Sequence, residues 1–131
     1  MDPQQQAQEF RYAYGVDNDA SKRDFQMSLI MEEYKELIEA HTKYYDYDGA
    51  PADCLKELAD LVYVCYQYAE NLDWDLNEAL FRVHRSNMSK LGTDGKPIKN
   101  ASGKVMKGPN YRPPYLDDLT NTEISLENYD H

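Results

Sequence analysis

Apolar residues recur at helical spacing through the first two thirds of the chain and then lose that order. A short helix is predicted from about Gln4 to Tyr14, stopped by Gly15. Val16 to Ala20 reads as loop, and Asp19 or Ser21 can cap a second helix. That helix carries Phe25, Leu29, Ile30, Tyr34, Leu37 and Ile38 and runs to about Tyr45. Asp48-Gly49-Ala50-Pro51 is punctuation. A third helix is predicted from about Ala52 to Glu70. Its segment Leu61-Val62-Tyr63-Val64-Cys65-Tyr66 has the composition of a buried strand, but it sits inside a long stretch without Gly or Pro, which favours helix. Asp75 and Glu78 have capping-box spacing for a fourth helix through Leu80, Val83 and Met88, ending at Gly92.

Beyond Gly92 the helical pattern stops. Gly95, Pro97, Gly103, Gly108, Pro109, Pro113 and Pro114 break any helix, and Asp94-Gly95 and Ser102-Gly103 signal turns. Extended chain with a small hairpin is expected. From Leu116 to His131 the chain is acidic and weakly patterned, a tail expected to be partly disordered or docked on a neighbour. The expected organisation is therefore one all-α domain over residues 1–115, four-helix-bundle-like with an extended arm, followed by an acidic tail over 116–131.

The two middle helices place acids where apolar residues belong. At about 100° per residue, with Phe25 at zero, Glu36 falls near 20°, Leu29 near 40° and Glu33 near 80°. Glu33 thus lies between Leu29 and Leu37, and Glu36 between Phe25 and Leu29. Glu32, Lys35 and Glu39 occupy the polar arc. On the third helix Glu57 sits amid Leu61, Val64 and Tyr68, with Asp60 at the edge of that stripe. Burying an unpaired carboxylate costs several kcal/mol, and clustered carboxylates also repel one another. The lysines of these helices, Lys35, Lys43 and Lys56, are expected to point away from the acids. A hard divalent cation, Mg²⁺ or Mn²⁺, would neutralise such an all-oxygen set. A di-iron bundle would want Glu-x-x-His, and Ile38 and Phe81 stand three residues before His41 and His84 instead.

Charge sharpens the picture. The chain of 131 residues has a formal charge of −10. Residues 82–112 nevertheless hold eight of its 14 Lys and Arg and one of its 24 acids, Asp94. An acidic helical body followed by a basic arm disfavours a nucleic-acid coat or a basic membrane-surface protein, so neither nucleic acid nor membrane is an expected partner. No apolar run approaches the roughly 18–20 residues that span a bilayer. The polar, Gln-rich start does not read as a secretory signal. Cys54 and Cys65, roughly 16 Å apart along one helix, cannot bridge within the chain. A soluble cytoplasmic protein with reduced thiols is the expectation.

Glu32-Glu33-x-x-Glu36 followed by Glu57-x-x-Asp60 resembles the EExxE…ExxD signature of the all-α nucleoside triphosphate pyrophosphohydrolases, and within them the MazG-like branch. The stretch Val83 to Leu91, with Asp94-Gly95-Lys96-Pro97 and Gly103 to Pro109, is similar to the C-terminal half of single-domain MazG-like proteins, phage-encoded ones included. The resemblance implies hydrolysis of nucleoside triphosphates to monophosphate and pyrophosphate with Mg²⁺ or Mn²⁺. It implies metal ligation by Glu33, Glu36, Glu57 and Asp60, with Glu32 in a second shell or orienting the attacking water, and triphosphate contacts from Asn87 and Lys90. Lys104 and Lys107 are further candidate cations for the leaving group, and Phe25 a candidate wall of the base pocket, beside Tyr12, Tyr14 and Trp74. No Walker G-x-x-x-x-G-K-[ST] spacing is present. The resemblance to phage proteins in the C-terminal half implies a role in shaping a deoxynucleotide pool, with a purine such as dGTP as the expected substrate. The apolar faces of the middle helices and the resemblance both point to a homo-oligomer, dimer or tetramer, with Tyr44, Tyr45 and Tyr47 as a possible subunit contact. The rival reading is a non-catalytic helical interaction module whose acids are simply solvated.

Overall fold

The computed structural model describes residues 1–46 and 48–120. Tyr47 and most of the acidic tail, residues 121–131, lie outside the described residues. The chain forms two compact units, Met1–Trp74 and Asp75–His131.

The first unit is entirely helical. Helix α1 spans Pro3–Ala13, α2 spans Arg23–Asp46 and α3 spans Pro51–Asn71. Each start has a local cause. At α1 the Asp2 side chain accepts from the Gln5 amide at 2.8 Å while Gln5 Oε1 accepts from the Asp2 amide at 2.9 Å, and Pro3 occupies the first turn. Asp19 accepts from the Ser21 amide and opens a 3₁₀ turn, Ala20–Lys22, that feeds directly into α2. Pro51 starts α3. The stretch Leu61–Tyr66 is helical throughout.

Helix α2 packs chiefly on α3, and α1 packs on α3 as well. The α2–α3 turn is tight because Gly49 donates to Lys43 O at 2.9 Å. A Cβ at Gly49 would sit 2.7 Å from the Lys43 carbonyl carbon, so only glycine fits. Ala7, Tyr66, Ala69 and Leu72 are buried. Phe25, Met31, Tyr34, Leu55, Leu58 and Val62 stay substantially exposed.

A polar network pins α1 and the loop after it onto the C-terminal part of α3. Buried Arg11 donates through Nη1 to Gln67 Oε1 (3.1 Å), through Nη2 to Asn71 Oδ1 (3.1 Å) and Asp17 O (2.9 Å), and through Nε to Asn18 Oδ1 (2.8 Å). Asn71, 1% exposed, returns a bond from Nδ2 to Asp19 O at 2.9 Å. Burial lowers the guanidinium pKa, while the charges of Glu70 and Asp73 oppose that shift.

In the second unit α4 spans Leu76–Met88, capped by Asp75, which accepts from the Glu78 amide at 3.0 Å. Helix α4 stops short of the expected end at Gly92. Ser89 Oγ donates to Ser86 O at 2.6 Å and accepts from the Arg112 amide at 2.9 Å, so the local backbone groups take side-chain and strap partners in place of a further helical turn. The expected hairpin is present as β1, Ile98–Lys99, and β2, Val105–Met106, antiparallel with Ile98 opposite Met106. Asn100 Oδ1 organises its turn by accepting from the Ser102 and Lys104 amides. Gly108 closes the arm onto the end of α4, donating to Lys90 O at 2.9 Å where a Cβ would meet Leu91 O at 2.5 Å.

Replacing Asn71 by Ala removes an acceptor and a donor at once and strands Arg11 and Asp19 partners in a buried site. We expect a loss of about 2–3 kcal/mol, read as a lower urea midpoint at unchanged m. A change within about 0.5 kcal/mol would show that the network is dispensable.

Candidate metal centre

Glu33 and Glu36 lie one turn apart on α2, and Glu57 lies on the facing stretch of α3. One carboxylate oxygen from each comes within 4.8 Å of the other two. All three residues are half-buried. Glu33 Oε2 and Glu57 Oε2 are buried with no hydrogen-bond partner. Polar atoms in that state cost about 1–3 kcal/mol each unless something else satisfies them.

The electrostatics follow from crowding. Glu33 is pushed up from 4.5 to about 7, first by desolvation, then by its hydrogen bond to Glu36 and the negative charges of Glu36, Asp60 and Glu57. A carboxyl in this position retains its proton to higher pH than usual, first because it is desolvated and then because of its acidic neighbours. The donor set is all carboxylate oxygen, which fits a hard divalent cation, and two of its carboxyl groups carry a buried oxygen without a partner.

Asp60 stands one turn along α3 from Glu57 and outside the tight trio, close enough to act on Glu33 through its charge. Its carboxylate is occupied. Lys56 Nζ lies 2.8 Å from Asp60 Oδ2 and 3.4 Å from Glu57 Oε1. This corrects the expectation that no lysine of the middle helices reaches the acids. At i to i+4 the Lys56 stem lies along the same face as Asp60, and its four methylenes carry the ammonium back over Glu57. The pairing raises the Lys56 pKa well above its ordinary value. Glu32 is exposed on α2, off the cluster face as the helical wheel predicts.

Among the residues expected to wall a base pocket, Phe25 is 59% exposed, Tyr12 and Tyr14 are exposed, and half-buried Trp74 meets Tyr68 edge-on at 6.0 Å between ring centroids. Gln26 is the residue that sequence reasoning passed over: it is buried, and its Oε1 has no partner. The signal was available, since Gln26 stands seven residues before Glu33 and so shares its face.

Asn87, Lys90, Lys104 and Lys107 all belong to the second unit. Asn87, Lys104 and Lys107 are exposed, Lys90 is half-buried, and Lys107 Nζ stands 4.8 Å over the Tyr111 ring. An open cleft of about 1110 Å³ in this unit is lined by Arg85, Ser89, Asn110, Arg112 and Tyr115 among others, and none of those four residues lines it. On its rim Arg82 clamps Asp118 through two nitrogens at 2.6 and 3.0 Å.

Comparison with known families gives a match to the one described as phosphoribosyl-ATP pyrophosphohydrolase, over residues 2–87. The match takes in Glu33, Glu36, Glu57 and Asp60, reaches Asn87 and stops before Lys90, Lys104 and Lys107. Comparison with curated proteins gives no match. Among the described residues no helix is long and apolar enough to cross a membrane.

A carboxyl whose folded pKa lies above its unfolded value stabilises the fold fully below the unfolded value and loses that contribution as pH rises. For Glu33 the loss runs from 4.5 through about 7. In chelator, the melting temperature of the wild type should therefore fall more steeply over that window than that of Glu33→Gln. Manganese affinity of the wild type should weaken below about pH 7, because the cation must displace a proton. Equal pH slopes in the two proteins would show that Glu33 is not held among anions.

Proposed function

The chain belongs to the phosphoribosyl-ATP pyrophosphohydrolase family, and from that premise we propose that it cleaves the α–β phosphoanhydride of a nucleoside triphosphate to give monophosphate and pyrophosphate. The observation that carries the reading is the meeting of three carboxylates, two of them with orphaned buried oxygens, between α2 and α3. Mg²⁺ or Mn²⁺ would be held by Glu33, Glu36 and Glu57, with Asp60 completing the set.

When bound, the cation supplies Lewis acidity and neutralises triphosphate charge. The chain's own residues do the rest by position. Glu33, which desolvation and its acidic neighbours make retain a proton, would have to release it to serve as a ligand. To Glu32, exposed and outside the cluster, we assign the orienting of the water that attacks the α-phosphorus in line. We assign Lys90, Lys104 and Lys107 to triphosphate oxygens on charge alone, and Asn87 with them as a neutral donor. Phe25, largely exposed on the same helix as Glu33, is the apolar surface offered to a base.

A purine deoxynucleoside triphosphate such as dGTP is the proposed substrate, with the cytoplasmic nucleotide pool as the setting. Phosphoribosyl-ATP is the second reading, favoured by the family's own description. Both substrates present the same triphosphate, and hydrolysis at the same bond serves either. The exposed apolar positions along α2 and α3 support a homodimer or homotetramer.

Incubation with each NTP, each dNTP and phosphoribosyl-ATP, plus Mg²⁺ or Mn²⁺, followed by product separation, tests the proposal. Monophosphate (or phosphoribosyl-AMP) with pyrophosphate is expected. Diphosphate with phosphate, or no turnover on any substrate, overturns it in favour of a non-catalytic module. Glu36→Gln and Asp60→Asn should each lower kcat by at least about 100-fold with the helical content intact; full activity in both would misplace the site.

A further inference from the structure

Lys56 has a part that the hydrolytic chemistry leaves unexplained. It is the one cation within ion-pair distance of these acids among the described residues, touching Asp60 Oδ2 at 2.8 Å and Glu57 Oε1 at 3.4 Å. It engages one oxygen of Glu57 and leaves the other, Oε2, buried and unpartnered. Its own side chain is 67% exposed, while those of Glu57 and Asp60 are 17% and 36% exposed. The acids are thus less exposed than the lysine, which is tethered by its ammonium alone, through ion pairs and hydrogen bonds, on a long stem with open solvent beside it.

We infer that Lys56 is a built-in counter-ion that competes with the divalent cation for Glu57 and Asp60. In the metal-free protein its ammonium offsets the repulsion among Glu33, Glu36, Glu57 and Asp60. A divalent ion entering the cluster brings two positive charges to the same carboxylates. The ammonium then either stays, repelling the ion across a few ångströms, or swings into solvent and surrenders its ion pairs. Both routes weaken cation binding. The lysine therefore stabilises the empty site and sets its cation affinity lower than the four acids alone would give. This inference rests on the reading of the cluster as a cation site.

The test needs no substrate. Manganese is titrated into wild type, Lys56→Gln, Lys56→Arg and Lys22→Gln, with free Mn²⁺ followed by its electron paramagnetic resonance signal, and each protein is also melted in chelator and in saturating Mn²⁺. Lys56→Gln should bind Mn²⁺ about three- to tenfold more tightly than the wild type. It should melt lower than the wild type in chelator, and the gap should close in Mn²⁺. Lys56→Arg should keep the wild-type affinity, and Lys22→Gln, which removes an equal charge from the 3₁₀ turn before α2, should leave it unchanged. Unchanged or weaker Mn²⁺ binding by Lys56→Gln, with the wild type binding normally, overturns the inference alone. A matching gain in Lys22→Gln also overturns it, because net charge would then be the cause. Absence of Mn²⁺ binding by the wild type overturns the cation site and the inference together.

Discussion

The repulsion among carboxylates on the facing surfaces of α2 and α3 is the constraint around which the first unit is arranged. Three oxygens within 4.8 Å of one another, two of their carboxylates carrying a buried unsatisfied atom, are tolerable only with positive charge supplied or protons retained. Both remedies are visible. Glu33 is pushed towards neutrality, and Lys56 reaches over Glu57 and Asp60. Each is a partial answer that a divalent cation would replace, so the proposed cation site has a metal-free state already visible in its geometry.

Such a cluster needs a rigid frame, because helices free to splay would relieve the repulsion by moving apart. The turn at Gly49 holds the C-terminal end of α2 against the chain leading into α3. At the other end of α3, Arg11, Gln67 and Asn71 bind α1 and its loop to that helix through bonds that span 56 and 60 residues of sequence. On the apolar side of the frame Met31, Tyr34, Leu55 and Val62 are all exposed. The second unit, which carries the basic stretch 82–112, is built by other means: a short capped helix, a two-residue-per-strand hairpin, and a following segment fastened by Ser86, Ser89 and Gly108.

Much of this was legible in the sequence, for local reasons. Helical periodicity placed α2 and α3 to within a residue or two, since Pro51 and the Asp48-Gly49 turn punctuate them without ambiguity. The same periodicity turned Glu33, Glu36 and Glu57 inward and Glu32 outward, and the first three are half-buried and close together while Glu32 is exposed. What escaped depends on side-chain reach or on distant partners. The helical wheel records where a Cβ points and not where a four-methylene stem can carry an ammonium, so Lys56 was misjudged. Gln26 shares the face of Glu33, but a lone neutral amide on a helix face carries no charge penalty that marks it in the sequence. Nothing local to Arg11 or Asn71 foretells their pairing across the unit. The early end of α4 at Met88 turns on Ser89 bonding back to Ser86 and forward to Arg112, which no helix-stop signal encodes.

The central claim is that these acids form one cation site. Crystals grown with Mn²⁺ and measured for anomalous scattering at the manganese edge test it most directly. A peak among the carboxylate oxygens of Glu33, Glu36 and Glu57 is expected, with Asp60 turned towards it and the Lys56 ammonium displaced from its present contacts. A map without a peak there, with the acids directed into solvent and Lys56 still seated on Asp60, would contradict it.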